Sequence, residues 1–118
     1  MSYIGVNPES YDNTVQGDGE CVAFVRKCSG APSSTTWTKG APITENTPMY
    51  TAIATFNDQG RYPTNDTGQH AAIFVRKEGT TLIVWDQWAG QPVNSRPIRD
   101  KNGTGRWSND ASRFSVIA

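Results

Sequence analysis

Cys21, His70 and Asp86 are the residues in this chain whose types and order suit a reaction. Cys21 follows the glycine-rich turn Gln16-Gly17-Asp18-Gly19 and opens a segment with helical periodicity. The unpaired N–H groups and the dipole at a helix start favour a thiolate, so this position lowers a cysteine pKa. His70 begins a strand directly after a polar loop, which places its ring at the end of a sheet rather than deep inside it. Asp86 comes late in the following strand. In a hairpin turning at residues 77 to 80, positions 86 to 88 fall opposite position 70. Asp86 can then orient the imidazole while His70 takes the thiol proton, as in a nucleophile–base–acid triad.

Each residue alone has a plainer explanation. A cysteine on an apolar helix face is ordinarily a small buried hydrophobe, and Cys28, two turns along, keeps that role. A lone histidine at a strand edge ordinarily caps or faces solvent, and an aspartate after Val84-Trp85 can simply begin a turn. Their order raises the combination above its parts: helix-start Cys, strand-start His, then an acid on the next strand. With two cysteines and one histidine, and no H-x-x-x-H or C-x-x-C spacing, a zinc site is not expected. No other cofactor is implied. On one helix, Cys21 and Cys28 would stand about 10 Å apart, beyond the roughly 7 Å that a disulfide spans, so free thiols are expected.

The elements that must position these residues can be read in outline. Residues 1–14 form an irregular arm, and the irregular stretch runs on to Gly19. In the segment 20–28, Cys21, Phe24, Val25 and Cys28 fall at i, i+3, i+4 and i+7, one face of a helix. Arg26 and Lys27 suit its C-terminal end, and Gly30 with Pro32 stops it. Residues 29–48 are loop-like, with Trp37 as an apolar anchor. Strands are expected at 50–56, 70–75, 81–88, 93–99 and 113–117, with Lys77-Glu78-Gly79 turning a hairpin. A helix followed by antiparallel strands is α+β, in one domain spanning 1–118.

A chain of 118 residues should bury about two-thirds of the surface it exposes when unfolded, enough for a core without staples. Eleven basic and eleven acidic residues balance to zero, which removes the charge argument for nucleic-acid binding. No apolar run approaches the roughly 20 residues of a membrane span. The N-terminal residues have neither a basic nor an apolar region of a secretory signal, so synthesis in the cytoplasm without such a signal is expected. A monomer is the default expectation.

Three segments together resemble a known group. Gly19-Glu20-Cys21-Val22-Ala23-Phe24-Val25, Gly68-Gln69-His70-Ala71-Ala72-Ile73-Phe74 and Val84-Trp85-Asp86-Gln87-Trp88 look like the three motifs of CHAP-type and NlpC-type cysteine amidohydrolases. These are compact members of the papain-like superfamily, and the likeness extends to the amidase effectors of type VI secretion. Ala52–Phe56 and Gly60-Arg61-Tyr62-Pro63 fit it as well, so the resemblance covers residues 15 to 118. Many CHAP members carry glutamate, then asparagine two residues on; here Asp86 is followed by Gln87 and Trp88.

The resemblance implies a papain-like fold and hydrolysis of an amide bond in peptidoglycan stem peptides. Cys21 would be the nucleophile, His70 the base and later acid, and Asp86 the orienting residue. The Cys21 N–H would supply part of the oxyanion hole, with the Gln16 side chain a candidate second donor. Arg61 and Tyr62 are candidates for contacting the acidic stem peptide. Trp85 and Trp88 should point to opposite faces of their strand, one into the core and the other, Trp88, walling the cleft. Such effectors are injected into a neighbour's periplasm, and the producing cell needs a periplasmic immunity protein. Two alternatives are a non-catalytic module that binds cell wall or protein, and a papain-like enzyme acting on protein substrates.

Overall fold

The computed structural model describes residues 2–63 and 68–118. Helix α1 spans Cys21–Ser29 and buries Cys21, Phe24, Val25 and Cys28, the face that its apolar spacing defines. Gly30 ends it in the left-handed conformation, its N–H bonded to the Arg26 carbonyl. Five strands follow: β1 (Ala52–Thr55), β2 (Ala71–Glu78), β3 (Thr81–Trp88), β4 (Gln91–Ile98) and β5 (Phe114–Val116). They form one antiparallel sheet in the order β4-β3-β2-β1-β5. Pro92 and Pro97 fall in β4, an edge strand, where a missing donor is tolerated. The β2–β3 turn is shorter than the sequence suggests: Glu78 already pairs with Thr81, so Lys77 and Glu78 belong to the strand.

Apolar residues fill both faces of the sheet. Helix α1 packs Phe24 and Val25 against Ala71, Ile73, Val93 and Trp37 on one face, with Trp85 partly buried beside them. Ile53, Ala72, Phe74, Leu82, Val84, Ile98 and Phe114 cluster on the other. The N-terminal arm is tied down rather than loose. Gly5 N–H donates to the Tyr50 carbonyl at 2.7 Å and Val6 N–H to the Cys28 carbonyl at 2.9 Å. Gly5 must be small, because a Cβ there would stand 2.9 Å from Cys28 Sγ. Residues 8–11 add a 3-10 turn within the arm. Both thiols are free and buried.

Two one-residue irregularities in the ladders carry most of the functional geometry. Phe74 pairs with Val84, but Arg76 pairs with Ile83, so Val75 is an extra residue in β2. Between β3 and β4, Asp86 pairs with Asn94 while Trp88 pairs with Gln91, which puts a second extra residue in β4. Each shift changes which side chains share a face, since alternate strand residues point to opposite sides.

Candidate active site

The three chemistry-bearing residues meet at the end of the sheet. Cys21 is the first residue of α1, whose N-terminal N–H groups have no intrahelical acceptor. The turn before it is tight: Gly17 has φ +54°, and a Cβ there would meet the Ala23 Cβ at 2.8 Å. His70 lies one residue before β2 and extends its ladder, its N–H bonded to Thr55 Oγ1 at 3.0 Å and its carbonyl accepting from Thr55 N–H. Continuing the Ile73–Trp85 register sets Asp86 across from Ala72, the Val75 irregularity having put it on the side that His70 faces. His70 Nε2 and Asp86 Oδ2 are 2.7 Å apart, with the two residues 3% and 1% exposed.

The Nε2–Asp86 bond leaves Nδ1 as the ring nitrogen for Cys21, on whose thiol the hydrogen bond and charge of His70 act. Burial alone would raise the Cys21 thiol. The His70 hydrogen bond and charge, the Tyr62 hydroxyl and the Ala71 backbone reverse this and hold it below its ordinary value. Burial alone would likewise lower His70, but the Asp86 carboxylate and Cys21 push it up to about 9. Tyr62 is pushed far the other way from ionisation by burial and by the Cys21 and Glu20 charges. It therefore keeps its proton, and its hydroxyl, 3.6 Å from Cys21 Sγ, acts as the donor. A thiolate beside an imidazolium is the state these surroundings favour.

These directions give a pH profile. As a nucleophile–acid pair, Cys21 and His70 would share one proton: below the depressed thiol value Cys21 is protonated as well, and above about 9 His70 has no proton left to give. A bell-shaped kcat/KM profile with its alkaline limb near 9 is expected. Tyr62→Phe removes one thiolate donor and should move the acid limb upward. Alkylation of Cys21 by iodoacetamide as a function of pH reads the same limb without a substrate.

Asp86 has a second partner, which sequence reasoning missed. Arg96 Nε donates to the same Oδ2 at 2.8 Å, while its Nη1 reaches Asn109 Oδ1 at 3.1 Å and its Nη2 the Ser108 carbonyl at 2.9 Å. Its guanidinium lies 5.0 Å over the Trp88 ring. Arg96 thus fixes the acid, one wall and the 108–109 loop at once. Arg96→Met would leave the buried carboxylate with His70 alone and should cost about 3 kcal/mol, lowering Tm by roughly 10 °C. Thermal melts of Arg96→Met and Arg96→Lys test this, since a lysine cannot reproduce the fork.

A cleft of about 460 Å³ opens over the site, lined by Glu20, Cys21, His70, Trp88, Arg96 and Arg106 among others. Trp88 walls it, 41% exposed, while Trp85 packs towards the core, so the two tryptophans divide as the strand alternation implies. Other expected site residues stand elsewhere. The Gln16 side-chain amide donates to Thr14 Oγ1 at 2.8 Å and is not among the cleft-lining groups. Arg61 donates from Nη2 to the Thr35 carbonyl at 2.9 Å, also away from the cleft. Tyr62 is buried against Trp37, ring centroids 5.1 Å apart, and approaches the thiol from the core side instead of offering a loop contact. Its burial follows from Trp37, which is itself fully enclosed.

A helix that presents cysteine at its N-terminus to an antiparallel sheet bearing histidine is the papain-like α+β architecture, in the form found in amidase effectors. The chain belongs to the domesticated amidase effector 2 family, whose model matches residues 3–117. It is 31% identical over 133 aligned positions to a type VI secretion amidase effector 2 protein of Salmonella typhi, covering 99% of both chains. It is 38% identical over 104 positions to domesticated amidase effector 2 of Ixodes scapularis, covering 83% of this chain and 70% of that one. The solved structure of type 6 secretion amidase effector 2 (Tae2) superposes with a TM-score of 0.84 at 30% identity, over 98% of this chain and 93% of that one.

Proposed function

We propose that this protein is a cysteine amidase that hydrolyses an amide bond in the peptide stems of bacterial peptidoglycan, acting as an antibacterial effector. The observation that carries it is the 2.7 Å His70–Asp86 contact, with Cys21 and His70 lining one open cleft, in a chain of an amidase-effector family. The Cys21 thiolate attacks the amide carbonyl, and the tetrahedral oxyanion forms near the Cys21 N–H. His70 gives its proton to the leaving amine, producing an acyl-enzyme and a free amino group. His70 then takes a proton from water, the hydroxide releases the acid, and the thiolate is restored. Asp86 holds the ring throughout through Nε2.

Delivery to the periplasm of a target cell, and a cognate immunity protein that blocks the cleft over Cys21 and His70, are part of the same proposal, supported by the end-to-end match to a type VI secretion amidase effector. Similarity to domesticated amidase effector 2 of Ixodes scapularis supports the amidase part of this reading as well. Digestion of purified sacculi, followed by mass spectrometry of the products, tests the activity. Wild-type protein should release new muropeptides whose masses identify the bond, and folded Cys21→Ala should release none. Intact sacculi with the thiol confirmed reduced would overturn peptidoglycan as substrate and favour a protein substrate or a binding role.

A further inference from the structure

Gln87 is fully buried, carries no charge and lies outside the cleft lining, yet it meets the nucleophile's loop at three points. Its Oε1 accepts from the Gln16 N–H at 2.9 Å, and its Nε2 donates to the Gln16 carbonyl at 2.9 Å and the Glu20 carbonyl at 2.8 Å. An amide side chain can satisfy few backbone groups at once, and here it uses both donors and its acceptor on one loop. Burial makes those bonds costly to lose, because each abandoned partner would be left without water.

We propose that Gln87 is a positioning residue that sets Cys21, and the oxyanion donor beside it, relative to His70; this rests on the amidase mechanism above. The Glu20 carbonyl belongs to the peptide unit that joins Glu20 to Cys21. That unit is planar and trans, so its C=O and the Cys21 N–H point in opposite directions. Holding the carbonyl on Gln87 therefore aims the Cys21 N–H away from β3, and the bond polarises the same amide. Asp86 and Gln87 are neighbours on one strand whose side chains leave on opposite sides. One holds the base through its ring, the other holds the nucleophile through its backbone. Strand β3 is thus the common frame for both halves of the site.

The test uses the full-length protein with Gln87→Met, which keeps length but no hydrogen bond, and Gln87→Glu, which keeps the acceptor and loses both donors. The expected result is a kcat lower by about 10²-fold with KM little changed, the scale of a misaimed oxyanion donor or a small misplacement. The pH dependence of iodoacetamide alkylation at Cys21, read by peptide mass spectrometry, should shift upward. That readout needs no peptidoglycan, so it stands even if the substrate assignment fails. A folded variant with unchanged kcat and unchanged Cys21 alkylation would overturn the proposal. Failure of both variants to fold would also overturn it, by assigning Gln87 to stability alone.

Discussion

Cys21→Ala is expected to lower turnover of peptidoglycan by about 10⁵- to 10⁶-fold while leaving the fold in place. The rate loss is large because the second thiol cannot substitute. Cys28 is held two turns along α1, bonded to the Val6 carbonyl at 3.6 Å, and burial pushes its thiol up. Any residual rate would come from binding and the Cys21 N–H alone. The structural cost is moderate, since the substitution removes one sulfur at the margin of the core but leaves the buried Tyr62 hydroxyl without that partner, at about 1–3 kcal/mol. Circular dichroism should match wild type, and Tm should fall by no more than about 10 °C. Muropeptide release by the folded variant at more than about 1% of the wild-type rate would exclude Cys21 as the nucleophile.

The second large effect falls on Asp86. Asp86→Ala should reduce kcat by about 10³- to 10⁴-fold, because His70 loses the partner that fixes its ring and the charge that sustains its protonated form. The same change strands the Arg96 guanidinium, so a loss of stability should accompany it. Asp86→Asn separates the two roles. Its amide oxygen can still accept from His70 Nε2 and Arg96 Nε, so orientation survives. The negative charge is gone, so the alkaline limb should move down from about 9 towards the ordinary histidine value of 6.5. The amide nitrogen would take the place of Oδ1, a buried atom with no hydrogen-bond partner among the described residues. An unsatisfied donor there should cost about 1–3 kcal/mol. A pH–rate profile unchanged in Asp86→Asn would show that the carboxylate charge does not support His70.

Both predictions rest on residues that residue type and spacing make legible in the chain. Cys21 is recognisable because a glycine-rich turn precedes a 3.6-residue apolar repeat, and local periodicity and capping act within a few residues. The observed helix, Cys21–Ser29, differs from the expected segment by one residue at each end. The strands at 71–78, 81–88 and 91–98 are legible for the same local reason, although their ends are set by pairing partners. The expectations that missed concern where a polar side chain points. Gln16 stands at a plausible distance from Cys21 along the chain, but its amide turns back to Thr14. Tyr62 sits among polar residues yet is drawn inward by Trp37, a partner 25 positions away.

Residue type and short-range pattern suffice to single out the candidate nucleophile, base and acid and to give the α+β class. That the three stand together follows from strand register, which is a property of the folded sheet. Counted back from the Glu78–Thr81 turn without the extra Val75, Asp86 would point to the opposite side of the sheet from His70. Without the extra residue in β4, Arg96 would miss the face of Asp86 in the same way. A single-residue shift reverses every side chain beyond it, and no local propensity specifies where a ladder takes one up. Arg96 and Gln87 stay hidden in the chain for this reason: their partners are Asp86, the Ser108–Asn109 loop and the backbone before Cys21, brought within reach by register and packing alone.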